Sequence, residues 1–176
     1  CSTQAMSTRF APIVPTVRAV VVLGLAAPVA LVIAATRPDA WVVAPLAGLA
    51  IIVLVVVDAL LAGRLEQWRV HVPEDVEVGA ETIIGATAAV QGGRPSAMQL
   101  ALACDPRLAP GGRLGFDLTP QGGGWRGEAA FSPTRRGTAP VSRGWLRWTG
   151  PLGLGARQLQ GDLDEQVRVR PNIAAV

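Results

Sequence analysis

Two uncharged apolar runs, Ala19–Ala35 and Ala40–Val57, are separated only by Thr36-Arg37-Pro38-Asp39. No other feature narrows the possible folds as much. Each run approaches the ~20 apolar residues that cross a bilayer as a helix. At ~1.5 Å per residue, either covers roughly 25 Å before its flanks are added. The connection is too short to cross back, so the runs predict a helical hairpin with both outer ends on one membrane face. The chain then divides into an N-terminal tail (residues 1–15), the transmembrane hairpin (16–63) and a domain held beside that face (64–176).

Arg9 and Arg18 precede the first run, and Arg64 and Arg69 follow the second, whereas the turn carries only Arg37 beside Asp39. Positive residues in short flanks stay on the cytoplasmic side. Both ends are therefore expected inside, with Trp41 at the outer interface. Ala26, Ala30 and Ala34 share one face, as do Ala44 and Gly48, and such small residues allow close helix packing. Pro28 and Pro45 are expected to kink their helices. Asp58, near the inner end of its run, is expected as an interfacial carboxylate with access to water or arginine. Cys1 also fits a lipoprotein start and the first run a signal peptide, but a second span follows at once and Met6 is an alternative start.

Beyond Arg64 the pattern changes to alternation, the mark of strands with one buried face. Trp68, Val70 and Val72 alternate with Arg69 and His71. Ile84, Ala86, Ala88 and Val90 share one face, as do Met98, Leu100, Leu102 and Cys104. Leu114, Phe116 and Leu118 follow the same rule, then Trp125, Ala129 and Phe131, and finally Val167 and Val169. Val141–Thr149 is strand-like with an ambiguous inward face. Glycine and proline turns separate the stretches, at Gly92-Gly93-Arg94-Pro95, Pro110-Gly111-Gly112, Gly122-Gly123-Gly124 and Gly150-Pro151. About seven short strands are expected, arranged as an all-β, immunoglobulin-like sandwich, with a small barrel as the alternative. Residues 73–81 read as a charged approach along a sheet edge.

The chemistry is sparse. His71, the one histidine, belongs to an outward strand face without a neighbouring ligand set for zinc or copper. Cys104 falls on an apolar strand face, as a core thiol does. The acidic groups Glu74, Asp75, Glu77, Glu81 and Asp162, Asp164, Glu165 read as solvated loop charge. All sixteen basic residues are arginine, and the net charge is only +3, which argues against nucleic acid as a partner. Arg135, Arg136, Arg143, Arg147 and Arg157 make the most basic region, where anionic lipid is a conceivable partner. No catalytic, cofactor-binding or metal-ligating residue is assigned, and no cofactor is expected.

Arg135-Arg136-Gly137, then Gly150-Pro151-Leu152-Gly153-Leu154, then Val167-Arg168-Val169-Arg170-Pro171 follow one another behind the two spans. This order resembles the bacterial membrane proteins catalogued as domain of unknown function 58. Gly150 departs from the resemblance, since that family usually has Asp there. The resemblance implies a double-spanning anchor in the inner (plasma) membrane leading into a strand-rich domain, which the arginine flanks are expected to hold on the cytoplasmic side. It also implies a later von Willebrand factor A-like part, outside residues 1–176, and a link to MoxR-type AAA+ ATPases. The expected role is a non-catalytic membrane scaffold or adaptor in contact with the bilayer and protein partners, its oligomeric state open. Two other readings stand beside it: a membrane enzyme whose active site lies beyond this region, and an outward-facing module for peptide or glycan.

Overall fold

A computed structural model of the chain describes residues 11–171; Cys1, Met6, Arg9 and Val176 lie outside the described residues. A short strand, β1 (Ile13–Pro15), leads into helix α1 (Val17–Thr36), a 3-10 turn (Pro38–Ala40) and helix α2 (Val43–Leu61). Eight strands follow: β2 (Arg64–His71), β3 (Asp75–Glu77), β4 (Thr82–Gln91), β5 (Ala97–Cys104), β6 (Arg113–Gln121), β7 (Gly124–Phe131), β8 (Gly137–Thr149) and β9 (Gly155–Arg170).

Both helices are long and apolar enough to cross a membrane. Thr16 starts α1 as its N-cap, its hydroxyl accepting from the Ala19 N–H. At the other end the Thr36 hydroxyl donates to the Val32 carbonyl at 2.9 Å. Apolar side chains face outward along both helices, with Leu25 67% and Leu31 70% exposed. The protein itself does not cover them, which is the pattern of a lipid-facing surface and not of a core helix. Ala26, Ala30, Ala34, Ala44 and Gly48 line a shared groove between the helices. Pro28 lies inside α1 as expected, but Pro45 falls in the first turn of α2. The first four N–H groups of a helix have no intrahelical acceptor, so Pro45 removes no ladder bond.

The strands form an immunoglobulin-like β-sandwich from one curled sheet, in the order β1-β9-β8-β5-β6-β7-β4-β2, with β3 added parallel to β9. The fold-over occurs in β6. Its residues up to Leu118 pair with β5, and from Thr119 onward they pair with β7. The two layers meet through Trp68 of β2, whose ring packs so closely on Gly144 of β8 that a β-carbon there would lie 2.6 Å from it. Met98, Leu100, Leu102, Leu146, Trp148 and Val167 are among the most deeply buried side chains of the core.

Two strand expectations are corrected and one open point is resolved. The described residues hold nine strands, not about seven, because Ile13–Pro15 of the expected tail and Asp75–Glu77 of the expected edge approach both pair with β9. Asp162, Asp164 and Glu165 belong to β9 and not to a loop. In β8 a register shift between Val141 and Arg143 explains the ambiguous face: Val141 is buried before it, and Gly144, Leu146 and Trp148 after it.

Candidate functional site

The segment between β8 and β9 docks onto the hairpin, and Asp58 is the centre of the contact. Its side chain is completely buried in the last turn of α2. One carboxylate oxygen accepts from the Leu152 N–H at 2.7 Å; the other accepts from the Leu154 and Gly155 N–H groups at 2.8 and 2.9 Å. An isolated buried carboxylate is strongly unfavourable, and three amide donors compensate it while fixing the loop in one conformation. This corrects the expectation of a solvent- or arginine-facing Asp58.

The loop is shaped to admit that carboxylate. A β-carbon on Gly150 would collide with the Asp58 backbone carbonyl and lie 2.6 Å from its Oδ1. A β-carbon on Gly155 would collide with the Val55 carbonyl and lie 2.8 Å from the Ala59 β-carbon. Space, and not conformational freedom, therefore dictates glycine at 150, which is absent from the positive-φ glycines. Gly153 does need its positive φ of 74°, and Arg18 lies against it.

The same loop also holds the start of α1. The buried Thr16 hydroxyl donates to the Gly153 carbonyl at 2.6 Å, and the Thr16 N–H donates to the Leu154 carbonyl at 3.0 Å. Just before Thr16, β1 pairs with β9 from Ile13 opposite Arg157 to Pro15 opposite Gly155. Thus the first turn of one helix and the last turn of the other are fastened to one loop of the sandwich.

A second set of contacts closes the end of α2. The Arg94 N–H donates to the Leu61 carbonyl at 3.1 Å, and the Trp148 indole N–H donates to the Gly63 carbonyl at 3.3 Å. Gly63 and Gly93 approach too closely for a side chain on either. The Ser96 hydroxyl donates to the Gly150 carbonyl at 2.6 Å, tying the turn before β5 to the docking loop. The Arg94 N–H thereby satisfies a carbonyl that a helix end otherwise leaves without a partner.

The residues that carry the resemblance separate into two groups. Gly150, Pro151, Leu152, Gly153 and Leu154 form the docking loop, with Leu152 54% exposed at the helix ends. Arg135, Arg136 and Gly137 stand at the opposite end of β8, where Gly137 pairs with Val169 just before Pro171. At ~3.3 Å per residue, β8 separates the two groups by roughly 40 Å. Arg135 and Arg136 are exposed there.

The expected basic region does not form one patch. Arg143 pairs with Asp162 at 3.1 Å on the outer sheet face, and Arg113 stacks 5.4 Å from the Trp145 ring centre. His71 is exposed on β2. Cys104 is a half-buried free thiol, its pKa pushed up first by burial and then by the Asp105 charge. Sequence reasoning missed the roles of Asp58, Thr16, Ser96 and Trp148. The signals for two of them were a threonine immediately before an apolar run and a lone acid inside one.

No family model and no curated protein matches this chain. Among solved structures, the chain is similar to the CARDB domain of the PF1109 protein from Pyrococcus furiosus, determined in complex with di-metal ions. The identity is 13% and the TM-score 0.34, over 57% of this chain and 84% of that one.

Proposed function

We propose that this protein is a non-catalytic membrane anchor that presents a β-sandwich at a fixed height and orientation above the bilayer. The observation that carries this reading is the joint: Asp58 binds three backbone amides of a loop whose glycines admit no side chain. A flexible tether needs none of these contacts, and a rigid mount needs all of them. Held this way, the far end of the sandwich, with Arg135 and Arg136, faces away from the lipid as a contact surface. Anchoring raises the effective concentration of partners at the membrane without strong individual contacts.

The arginine-rich flanks of the hairpin support a multi-pass arrangement with the sandwich on the cytoplasmic side. The motif order resembling the domain of unknown function 58 proteins supports a partner of the MoxR-type AAA+ class. Reporter fusions at Val176 test the orientation: fluorescence of a cytoplasmic reporter is expected, and alkaline phosphatase activity would overturn it. Affinity capture of the full-length protein from solubilised membranes tests the partner. An ATPase retained by the wild type and lost on Arg135→Glu/Arg136→Glu is expected; retention by neither would overturn that part of the reading.

A further inference from the structure

At the end of the sandwich that meets the helices, Arg157 lies close to Arg64: the Trp148 indole, opposite Arg157 in the β8–β9 pairing, bonds to the Gly63 carbonyl immediately before Arg64. Paired residues of adjacent antiparallel strands project to the same side of a sheet, and Trp148 is 1% exposed. The Arg157 side chain therefore leaves β9 on the core side, at the mouth of the sandwich. Its Nε is fully shielded and has no acceptor in the protein. Burial and the nearby charge of Arg64 both lower its pKa from the ordinary arginine value, burial being the larger effect.

Neither arginine takes part in any of the salt bridges among the described residues. Asp58 is nearest along the chain to Arg64 in the joint, but both its oxygens are committed to loop amides. Glu66 is exposed and bridges to neither arginine. Two like charges, one partly buried with a shielded N–H lacking an acceptor, form an arrangement that an oxyanion would stabilise.

The location identifies the kind of anion. Arg64 follows the end of α2 after only Ala62 and Gly63. Gly155, two residues before Arg157, touches Val55 and Ala59 of α2. Arg94 arrives beside them through its N–H bond to Leu61. All three arginines thus lie at the depth where the apolar helices give way to polar structure, which in a bilayer is the headgroup layer.

We infer that Arg157 and Arg64 form a phosphate-oxyanion site that takes the headgroup phosphate of an anionic lipid at the mouth of the sandwich. The planar guanidinium fork suits phosphate, whose oxygens accept two parallel N–H bonds. Arg94 adds positive potential at the rim. The inference needs only that the hairpin lies in a bilayer; it holds for either orientation of the sandwich and for any protein partner.

The test uses the full chain in a phosphate-free maltoside detergent, with phosphatidylglycerol added and bound lipid counted by native mass spectrometry. The wild type is expected to retain the lipid saturably. Arg157→Gln and Arg64→Gln are each expected to weaken retention by about tenfold, while Arg170→Gln, at the opposite and exposed end of β9, leaves it unchanged. Arg64 is exposed, so its variant keeps the test decisive should Arg157→Gln fail to fold. A parallel arm adds inorganic phosphate: displacement of lipid at millimolar concentration assigns the site to free phosphate, and its absence assigns it to lipid. Lipid retention equal in wild type and both variants, or binding of neither probe by the wild type, would overturn the inference.

Discussion

Replacing Asp58 by asparagine changes almost no volume, yet it should release the joint. The carboxylate offers one oxygen to Leu152 and the other to Leu154 and Gly155, at 2.7 to 2.9 Å. Hydrogen bonds to a charged group contribute about 1.5–3 kcal/mol each. Asparagine keeps one carbonyl oxygen, which can serve the Leu154 and Gly155 pair, but it turns an NH2 towards the Leu152 N–H. One bond is then lost outright and the other two lose their charge assistance. The expected loss is about 3 kcal/mol, on the order of a hundredfold in the opening equilibrium of the loop. Alanine removes both acceptor oxygens, and with them all three bonds, and costs about 3–5 kcal/mol. Hydrogen exchange of the intact protein in lipid nanodiscs reads this directly. The amides of Leu152, Leu154 and Gly155 should exchange about a hundredfold faster in Asp58→Asn, while Leu100 and Leu102 in the centre of β5 keep their protection. Unchanged exchange in the loop would refute the reasoning.

Gly150→Ala and Gly155→Ala should each destabilise the joint by about 3 kcal/mol or more, because their added β-carbons meet α2 backbone. Gly48→Ala, with nothing within 4 Å, should be neutral or slightly stabilising, and thermal unfolding of the three variants separates these outcomes. Trp148→Phe should cost about 1 kcal/mol more than Trp68→Phe, since only Trp148 donates its indole N–H, to Gly63, whereas the buried Trp68 N–H has no acceptor; denaturant midpoints check the difference. The raised pKa of Cys104 keeps its thiol protonated in the fold. Its contribution to stability is complete below the ordinary value of 9.0 and is lost as pH rises through the higher folded value. Alkylation near pH 9 should accordingly be slower in the native than in the unfolded chain, and equal rates would contradict the burial argument.

Much of the sandwich was legible because strand alternation is a local signal. Trp68, Ile84, Met98, Leu118, Phe131 and Val167, assigned inward from periodicity, are all buried. The short strands β1 and β3 were not legible, because neither has a hydrophobic pattern of its own and both exist only by pairing with the long β9. Of the acids that suggested a loop at 162–165, Asp162 and Asp164 are the outward residues of that strand, alternating with buried Gly161 and Leu163, while Glu165 is half-buried opposite Val141.

The joint was legible only in fragments. The motif loop Gly150–Leu154 and the acid Asp58 were each visible, but they are more than ninety residues apart. Nothing local indicates that a carboxylate in an apolar helix will find its donors in a distant glycine-rich turn. Gly150 shows the limit clearly. Read alone, it is one more turn glycine; placed against α2, it is the space that admits the Asp58 carboxylate.

The claim that hairpin and sandwich are one rigid piece is tested most directly by distance measurement across the joint. Spin labels at Asp39→Cys, in the turn between the helices, and Gln121→Cys, at the end of β6, would be read by pulsed electron resonance in nanodiscs, with Cys1 and Cys104 replaced by serine. A single narrow distribution is predicted with Asp58 intact, broadening in Asp58→Asn. A broad distribution with Asp58 in place would contradict the account.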